Sequence, residues 1–320
     1  MDRRKFLRST GAAAMTAALP AISASPGKLY AGSYQGSQLI GEMRRYKAKH
    51  EDTLLDIARR NGLGFVELVA ANPGVDPWLP GEGREILIPG AHLLPDGPRD
   101  GLLLNLIDQR LYQFTPTGAV KSYPIGTGRE AWNTPVGSTT IQRKKRNPTW
   151  FVPKSVREED PELPAVVRPG PDNPLGRHAF YLGWHAYLIH GTNKPWGVGR
   201  RVSHGCIRMY PEDISSIFDK IPVGTKVTVT SQEAKIAWLG DNLMLEIHPN
   251  GEQNLALEAT GKFAPAAVPE LAYRIKEKAG TRLKDIDWEA VRKTERERKG
   301  FPVSIVKHKK TAPEKLTPPS

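Results

Sequence analysis

At 320 residues the chain is long enough for two or three compact units, and with 39% apolar and 25% charged residues it can build cores, which excludes a wholly disordered polypeptide. Lys and Arg number 46 against 34 Asp and Glu, a net +12 at neutral pH that gives a cationic surface suited to anionic polymers. The single cysteine, Cys206, excludes a disulfide framework within the chain and any multi-cysteine metal site, and no apolar run reaches the ~18–20 residues of a membrane span.

The N-terminus reads as an address. Arg3-Arg4-Lys5-Phe6-Leu7-Arg8 is a twin-arginine pair followed by apolar residues, then a mildly apolar run from Gly11 to Leu19 and small residues through Ala24. This resembles a Tat export signal spanning 1–24. Its four bases and one acid would leave with it, lowering +12 to +9 on the mature chain. Export to the periplasm argues against nucleic acid as the partner and for cell-wall polymers. In an exported chain a lone thiol is either a small buried hydrophobe or a reactive group.

A linker, 25–44, leads to a unit at 45–91. Asp52 or Thr53 caps a helix carrying Leu54, Leu55, Ile57 and Ala58 that ends at Asn61-Gly62. A second helix holds Phe65, Val66, Leu68 and Val69 and stops at Asn72-Pro73-Gly74, and Glu85 to Pro89 forms a strand. Tyr46 to Pro89, with Asp52-Thr53-Leu54, Ile57-Ala58 and Ala71-Asn72-Pro73, resembles a βααβ LysM glycan-binding module, although Ala48 and Glu51 depart from its first strand and turn. A purely structural docking role stands beside glycan binding.

From 92 to 230 the texture is all-β. Strands are expected at Leu102–Ile107, Leu111–Phe114, Ala119–Ile125, Thr139–Arg143, Ala179–Leu182, Ala186–His190 and Lys226–Thr230, with one helix from Glu212 to Lys220 opened by Pro211. The Pro- and charge-rich stretch from Asn147 to Arg177 has the length of a lid or binding loop. Beyond Ser231 an α+β extension, 231–306, offers a strand at Leu243–His248 and helices at Pro269–Ala279 and Trp288–Lys299, and 307–320 is a basic tail expected to be disordered.

The chemistry concentrates in Ile189-His190-Gly191-Thr192 and Ser203-His204-Gly205-Cys206-Ile207-Arg208. A thiol of ordinary pKa, ~8.5, is only a few per cent thiolate at neutral pH and needs a base beside it. His204 is two residues away. If its segment runs extended, however, it points outward in parallel with Cys206. His190 closes an apolar strand and can converge from a neighbouring one, so it is the expected base. Gly205 permits a tight turn before the nucleophile and would expose the amides of Gly205 and Cys206 as an oxyanion hole.

His190-Gly191-Thr192 with Ser203 to Arg208, supported by Thr134-Pro135-Val136-Gly137 and Asn147-Pro148-Thr149-Trp150, resembles the signature of the YkuD-type L,D-transpeptidases, and the LysM-like unit and C-terminal extension are similar to their Gram-negative periplasmic branch. The resemblance implies a mainly β sandwich or barrel, Cys206 as nucleophile, His190 as proton donor and acceptor, and Gly191, Thr192, Ser203, His204, Gly205 and Arg208 lining the site, with no metal or cofactor. It implies attack by the Cys206 thiolate on the diaminopimelate–D-Ala bond of a peptidoglycan tetrapeptide stem. The thioester then passes to an amine of another stem (a 3–3 cross-link), to an outer-membrane lipoprotein, or to water as an L,D-carboxypeptidase side reaction. Arg208 could pair with a substrate carboxylate or form a structural ion pair.

Two other readings compete. A zinc-dependent wall peptidase could draw on His185, His190, His204 and Cys206, but His185 and His190 are an odd number apart on a strand and there is no HExxH. A wall-binding protein without turnover would use the terminal units alone. Trp132, Trp150, Trp184 and Trp196 are either a substrate platform or core and rim residues. Arg143-Lys144-Lys145-Arg146 either guides an acidic polymer or is a solvated edge.

Overall fold

The computed structural model describes residues 31–33, 37–129 and 132–307, so the export signal and nearly all of the basic tail lie outside the described residues. The first unit is strand, helix, helix, strand: β1 (Met43–Lys47), α1 (Leu54–Arg60), α2 (Phe65–Ala71) and β2 (Glu85–Pro89), with β1 and β2 antiparallel. Thr53 caps α1 by accepting from the Asp56 amide at 3.1 Å. The buried faces of both helices close on Ile86 and Ile88.

An eight-stranded barrel follows. In chain order its strands are β3 (Leu102–Asn105), β4 (Arg110–Phe114), β5 (Ala119–Gly128), β6 (Gly137–Arg146), β7 (His178–Leu182), β8 (Leu188–His190), β10 (Ile207–Met209) and β11 (Lys226–Thr230), with a short β9 (Arg201–Ser203) added beside β5. Around the barrel they run β5, β10, β8, β7, β6, β11, β3, β4 and back to β5. Within this ring pairing is antiparallel except for β8 with β10 and β3 with β11, and β9 lies parallel to β5. Ladder closure leaves no free edge in this ring. Leu104, Ile125, Phe180, Ile189, Ile207 and Val229 fill the interior, capped by Ile214, Ile217 and Phe218 of α4 (Pro211–Phe218).

The expected strands exist with shifted ends. The first stops at Asn105 because 106–109 turn into β4, while β5 and β6 each run to ten residues. The stretch 147–177 is not uniformly irregular: Trp150–Phe151 pairs with Val166–Val167, and α3 (Lys154–Glu159) lies between them. In the C-terminal part β12 (Ala234–Leu239), β13 (Asn242–Ile247) and a two-residue β14 (Val303–Ser304) form a sheet covered by α6 (Leu271–Ala279) and α7 (Trp288–Glu297). Sequence reading missed β12 and also α5 (Gly251–Thr260), whose amphipathic signal is weak and whose Leu257 packs into the first unit.

The basic run on β6 is spoken for. Lys144 donates to the Phe218 and Ile221 carbonyls at 2.7 and 2.9 Å, Arg146 pairs with Asp219, and Arg143 stacks on Tyr181 at 3.8 Å. Three of its four bases therefore fasten the barrel wall rather than offer a free cationic edge.

Buried ions join the three parts. Arg110 on β4 is fully buried and donates to both Glu67 oxygens at 3.1 and 2.8 Å and to Ser122 at 2.8 Å. Lys235 on β12 reaches Asp108 at 2.8 Å and Glu246 at 2.5 Å. Removing one partner of such a pair strands the other in low dielectric, so Glu67→Ala should cost about 3–5 kcal/mol in chemical denaturation, with much of the loss recovered when Arg110→Met is added. A loss under about 1 kcal/mol, the level of an exposed pair, would show that the seam is not held this way.

Candidate active site

The site is built on the shortest strands of the barrel. Ile189 pairs with Ile207 and His190 with Arg208 in a parallel register. Because Ile189 and Ile207 point into the barrel core, alternation turns Leu188, His190, Cys206 and Arg208 to the other face. His190 and Arg208 thus share one side of the sheet, and Cys206 stands on the loop that leads directly into β10.

Between Ser203 and Ile207 the chain does not stay extended. Gly205 has φ +96°, and a Cβ there would fall 2.9 Å from Tyr187 Cε1, so only glycine fits both the backbone and the space. The turn is tied from within: Ser203 Oγ donates to the Cys206 carbonyl at 2.5 Å and Thr134 Oγ1 to the Gly205 carbonyl at 2.8 Å. Ser203 is buried, so it holds the nucleophile loop in shape rather than facing the cleft.

His190 is buried, with Nδ1 2.6 Å from the Gly191 carbonyl. Donation from Nδ1–H fixes the tautomer and leaves Nε2 as the basic nitrogen. Burial, with the Arg208 charge adding to it, lowers its pKa to about 3. Cys206 donates its S–H to the Ala186 carbonyl at 3.5 Å, and burial raises its pKa, opposed by the Leu188 amide and by Arg208. Burial thus favours the neutral form of both groups.

His204 is held elsewhere. Its Nε2 lies 3.0 Å from both Glu159 Oε2 on α3 and Arg129 Nη2, and its ring meets Trp132 edge-on at 5.3 Å. Trp132 Nε1 donates to Glu159 at 2.8 Å, and Arg129 also pairs with Glu159. The His204 hydrogen bond, with those of Trp132 and Arg129, brings the Glu159 pKa down to about 2. This cluster ties the 147–177 segment to the cysteine loop. Sequence reading placed His204 at the site but missed Glu159, which stands among charged neighbours with nothing to single it out.

Gly191 packs against Ile214 and the Leu175 carbonyl, and buried Thr192 accepts from the Lys194 amide at 2.9 Å, so both shape the loop under His190. Arg208 makes no ion pair among the described residues. Trp184 packs on the barrel core, whereas Trp196 is exposed. His185 is exposed, and among the described residues the one group close enough to share a metal is Asp108, Glu246 and His248, where the Lys235 ammonium already bridges the two carboxylates.

Residues 99–229 match the family model of the L,D-transpeptidase catalytic domain, YkuD. The chain is 36% identical over 311 residues to the probable L,D-transpeptidase YcfS of Escherichia coli, covering 93% of each chain. It belongs to the YkuD-type L,D-transpeptidases. It is also 37% identical over 281 residues to the probable L,D-transpeptidase ErfK/SrfK of Salmonella typhimurium, covering 85% of this chain and 89% of that protein. No helix among the described residues is long and apolar enough to cross a membrane.

For an L,D-transpeptidase with this electrostatic arrangement, the acid limb of kcat/KM belongs well below the ordinary imidazole range. With His190 as the base, its lowered pKa leaves it already neutral at pH ~5, and the rate should stay level from roughly pH 5 to 8. A half-maximal rate near pH 6.5 in a stopped-flow titration with donor peptide would contradict a desolvated His190.

Proposed function

We propose that the enzyme works by cysteine acyl transfer on peptidoglycan stem peptides, with Cys206 as nucleophile and His190 as the one proton carrier. The observation that supports this is the parallel register that sets His190 opposite Arg208, two residues after Cys206, with the imidazole tautomer set by the Gly191 carbonyl. As Cys206 Sγ attacks the diaminopimelate carbonyl, its proton passes to His190 Nε2, and the amides of Gly205 and Cys206 receive the oxyanion. His190 then gives that proton to the departing D-alanine nitrogen as the C–N bond breaks, leaving a thioester. An incoming amine loses a proton to His190, forms the new amide and releases Cys206, which is reprotonated. Arg208, with no acid of its own among the described residues, binds a stem-peptide carboxylate.

In this reading the enzyme acts in the periplasm after export by the twin-arginine route, and its acceptor is a second stem or a lysine of an outer-membrane lipoprotein. The βααβ unit serves as a LysM-like glycan contact, a role supported by the exposure of Trp78 and Leu79 on the loop between α2 and β2.

Mass spectrometry with a tetrapeptide muropeptide should reveal an adduct on Cys206 lacking the terminal D-alanine, which then discharges to whichever acceptor amine is supplied. Cys206→Ala should abolish the adduct, and His190→Gln should slow its formation by about 10²–10⁴-fold. Folded protein that never acquires the adduct would defeat the mechanism.

A further inference from the structure

Thr134-Pro135-Val136-Gly137, where the loop between β5 and β6 enters β6, takes no part in the proton and acyl steps, yet the loop is packed against the nucleophile turn. A Cβ on Gly128, at the end of β5, would fall 1.9 Å from the Trp132 carbonyl oxygen and 3.0 Å from the Gly205 Cα, so these backbones meet with no side chain between them. A residue before proline is held to extended backbone, which limits the directions open to the Thr134 side chain. Thr134 is 5% exposed.

In this setting the one hydroxyl proton of Thr134 has a fixed destination. Oγ1 accepts from the Gly128 amide at 3.3 Å, which leaves its own proton for the Gly205 carbonyl at 2.8 Å. The consequence lies on the far side of that peptide. In a trans peptide the C=O and the following N–H point in opposite directions, so a Gly205 carbonyl drawn toward a buried hydroxyl turns the Cys206 N–H away from Thr134 and the backbone packed around it. Ser203 fixes the next peptide by donating to the Cys206 carbonyl at 2.5 Å. Both peptide planes that flank the nucleophile are thus pinned by hydroxyls, one from its own turn and one from 71 residues before Gly205.

We propose that Thr134 is a positioning residue for acyl transfer: by holding the Gly205 carbonyl it aims the Cys206 amide at the oxygen of the attacked carbonyl. The proposal rests on the acyl-transfer reading and gives the Thr134 to Gly137 segment its part in that reaction. The aimed amide counts only when negative charge develops on that oxygen, where one donor contributes about 10²–10³-fold in rate. Displacement at a saturated carbon creates no oxyanion and does not draw on it.

The test therefore compares two electrophiles on the same sulfur: a tetrapeptide stem, attacked at a carbonyl, and iodoacetamide, attacked at a saturated carbon. Thr134→Val removes the hydroxyl and keeps the branched shape. It should lower kcat for acylation by about 10–100-fold with KM within about twofold, the pattern of an interaction made in the transition state. The iodoacetamide rate and its pH profile should stay at their native values. Thr134→Ser, which restores a hydroxyl, should recover most of the acylation rate. If Thr134→Val does not fold, Thr134→Ala, which leaves space for a water at the freed Gly128 and Gly205 groups, is put through the same two reactions with the same expectation.

Acylation at the native rate in the variant would overturn the proposal. So would an equal loss toward both electrophiles, which marks a residue that merely keeps the turn folded. In either case the adduct on native Cys206 still stands, and acyl transfer with it. Native Cys206 that takes iodoacetamide but never the donor acyl group would instead defeat the acyl-transfer reading, and the aim of its amide along with it.

Discussion

The parallel pairing of β8 with β10 is the constraint on which the site depends. Each strand has three residues, and two registered pairs decide which side chains face the core. A slip of one residue would send Cys206 into the barrel and Ile207 outward, because the side-chain period is two. The register survives in so short a ladder because its neighbours enforce it. β10 is also paired to β5, β8 to β7, and Ile189 and Ile207 are locked among the core side chains under α4. The placement of His190 and of the start of β10, just after Cys206, is thus set by a closed barrel.

The outer parts bear on the same region. Gly199 has φ +76°, and a Cβ there would fall 2.3 Å from the Gly64 Cα; its carbonyl accepts from the Val66 amide at 3.3 Å. This backbone contact presses the start of α2 against the segment that leads into β9 and the cysteine loop. Arg59 reinforces it by donating to both Glu212 oxygens at 2.8 and 2.9 Å. Together with the Arg110–Glu67 and Lys235–Asp108 pairs, these contacts make the first unit and the C-terminal sheet braces for the barrel.

Much of this was legible in the chain itself. The helices of the first unit announce themselves by Thr53, Asn61-Gly62 and Asn72-Pro73, local signals that act within one turn. The choice of His190 over His204 followed from strand direction; the structure pairs His190 with Arg208 in register and turns His204 toward Glu159. The protonation state was not legible, since it depends on burial that no spacing encodes. Nor were α3, β12 and α5, whose stability comes from partners distant in sequence: Glu159 on α3 reaches His204, and Leu257 on α5 packs into the first unit.

In the proposed mechanism a neutral thiol and a neutral imidazole wait until a carbonyl arrives. With a single cysteine in the chain, the rate of its alkylation by iodoacetamide as a function of pH reads that thiol directly. One inflection is expected in the native enzyme, above the ordinary thiol value of about 8.5. An inflection well below pH 7 that disappears in His190→Gln would reveal a resting thiolate–imidazolium pair and contradict it.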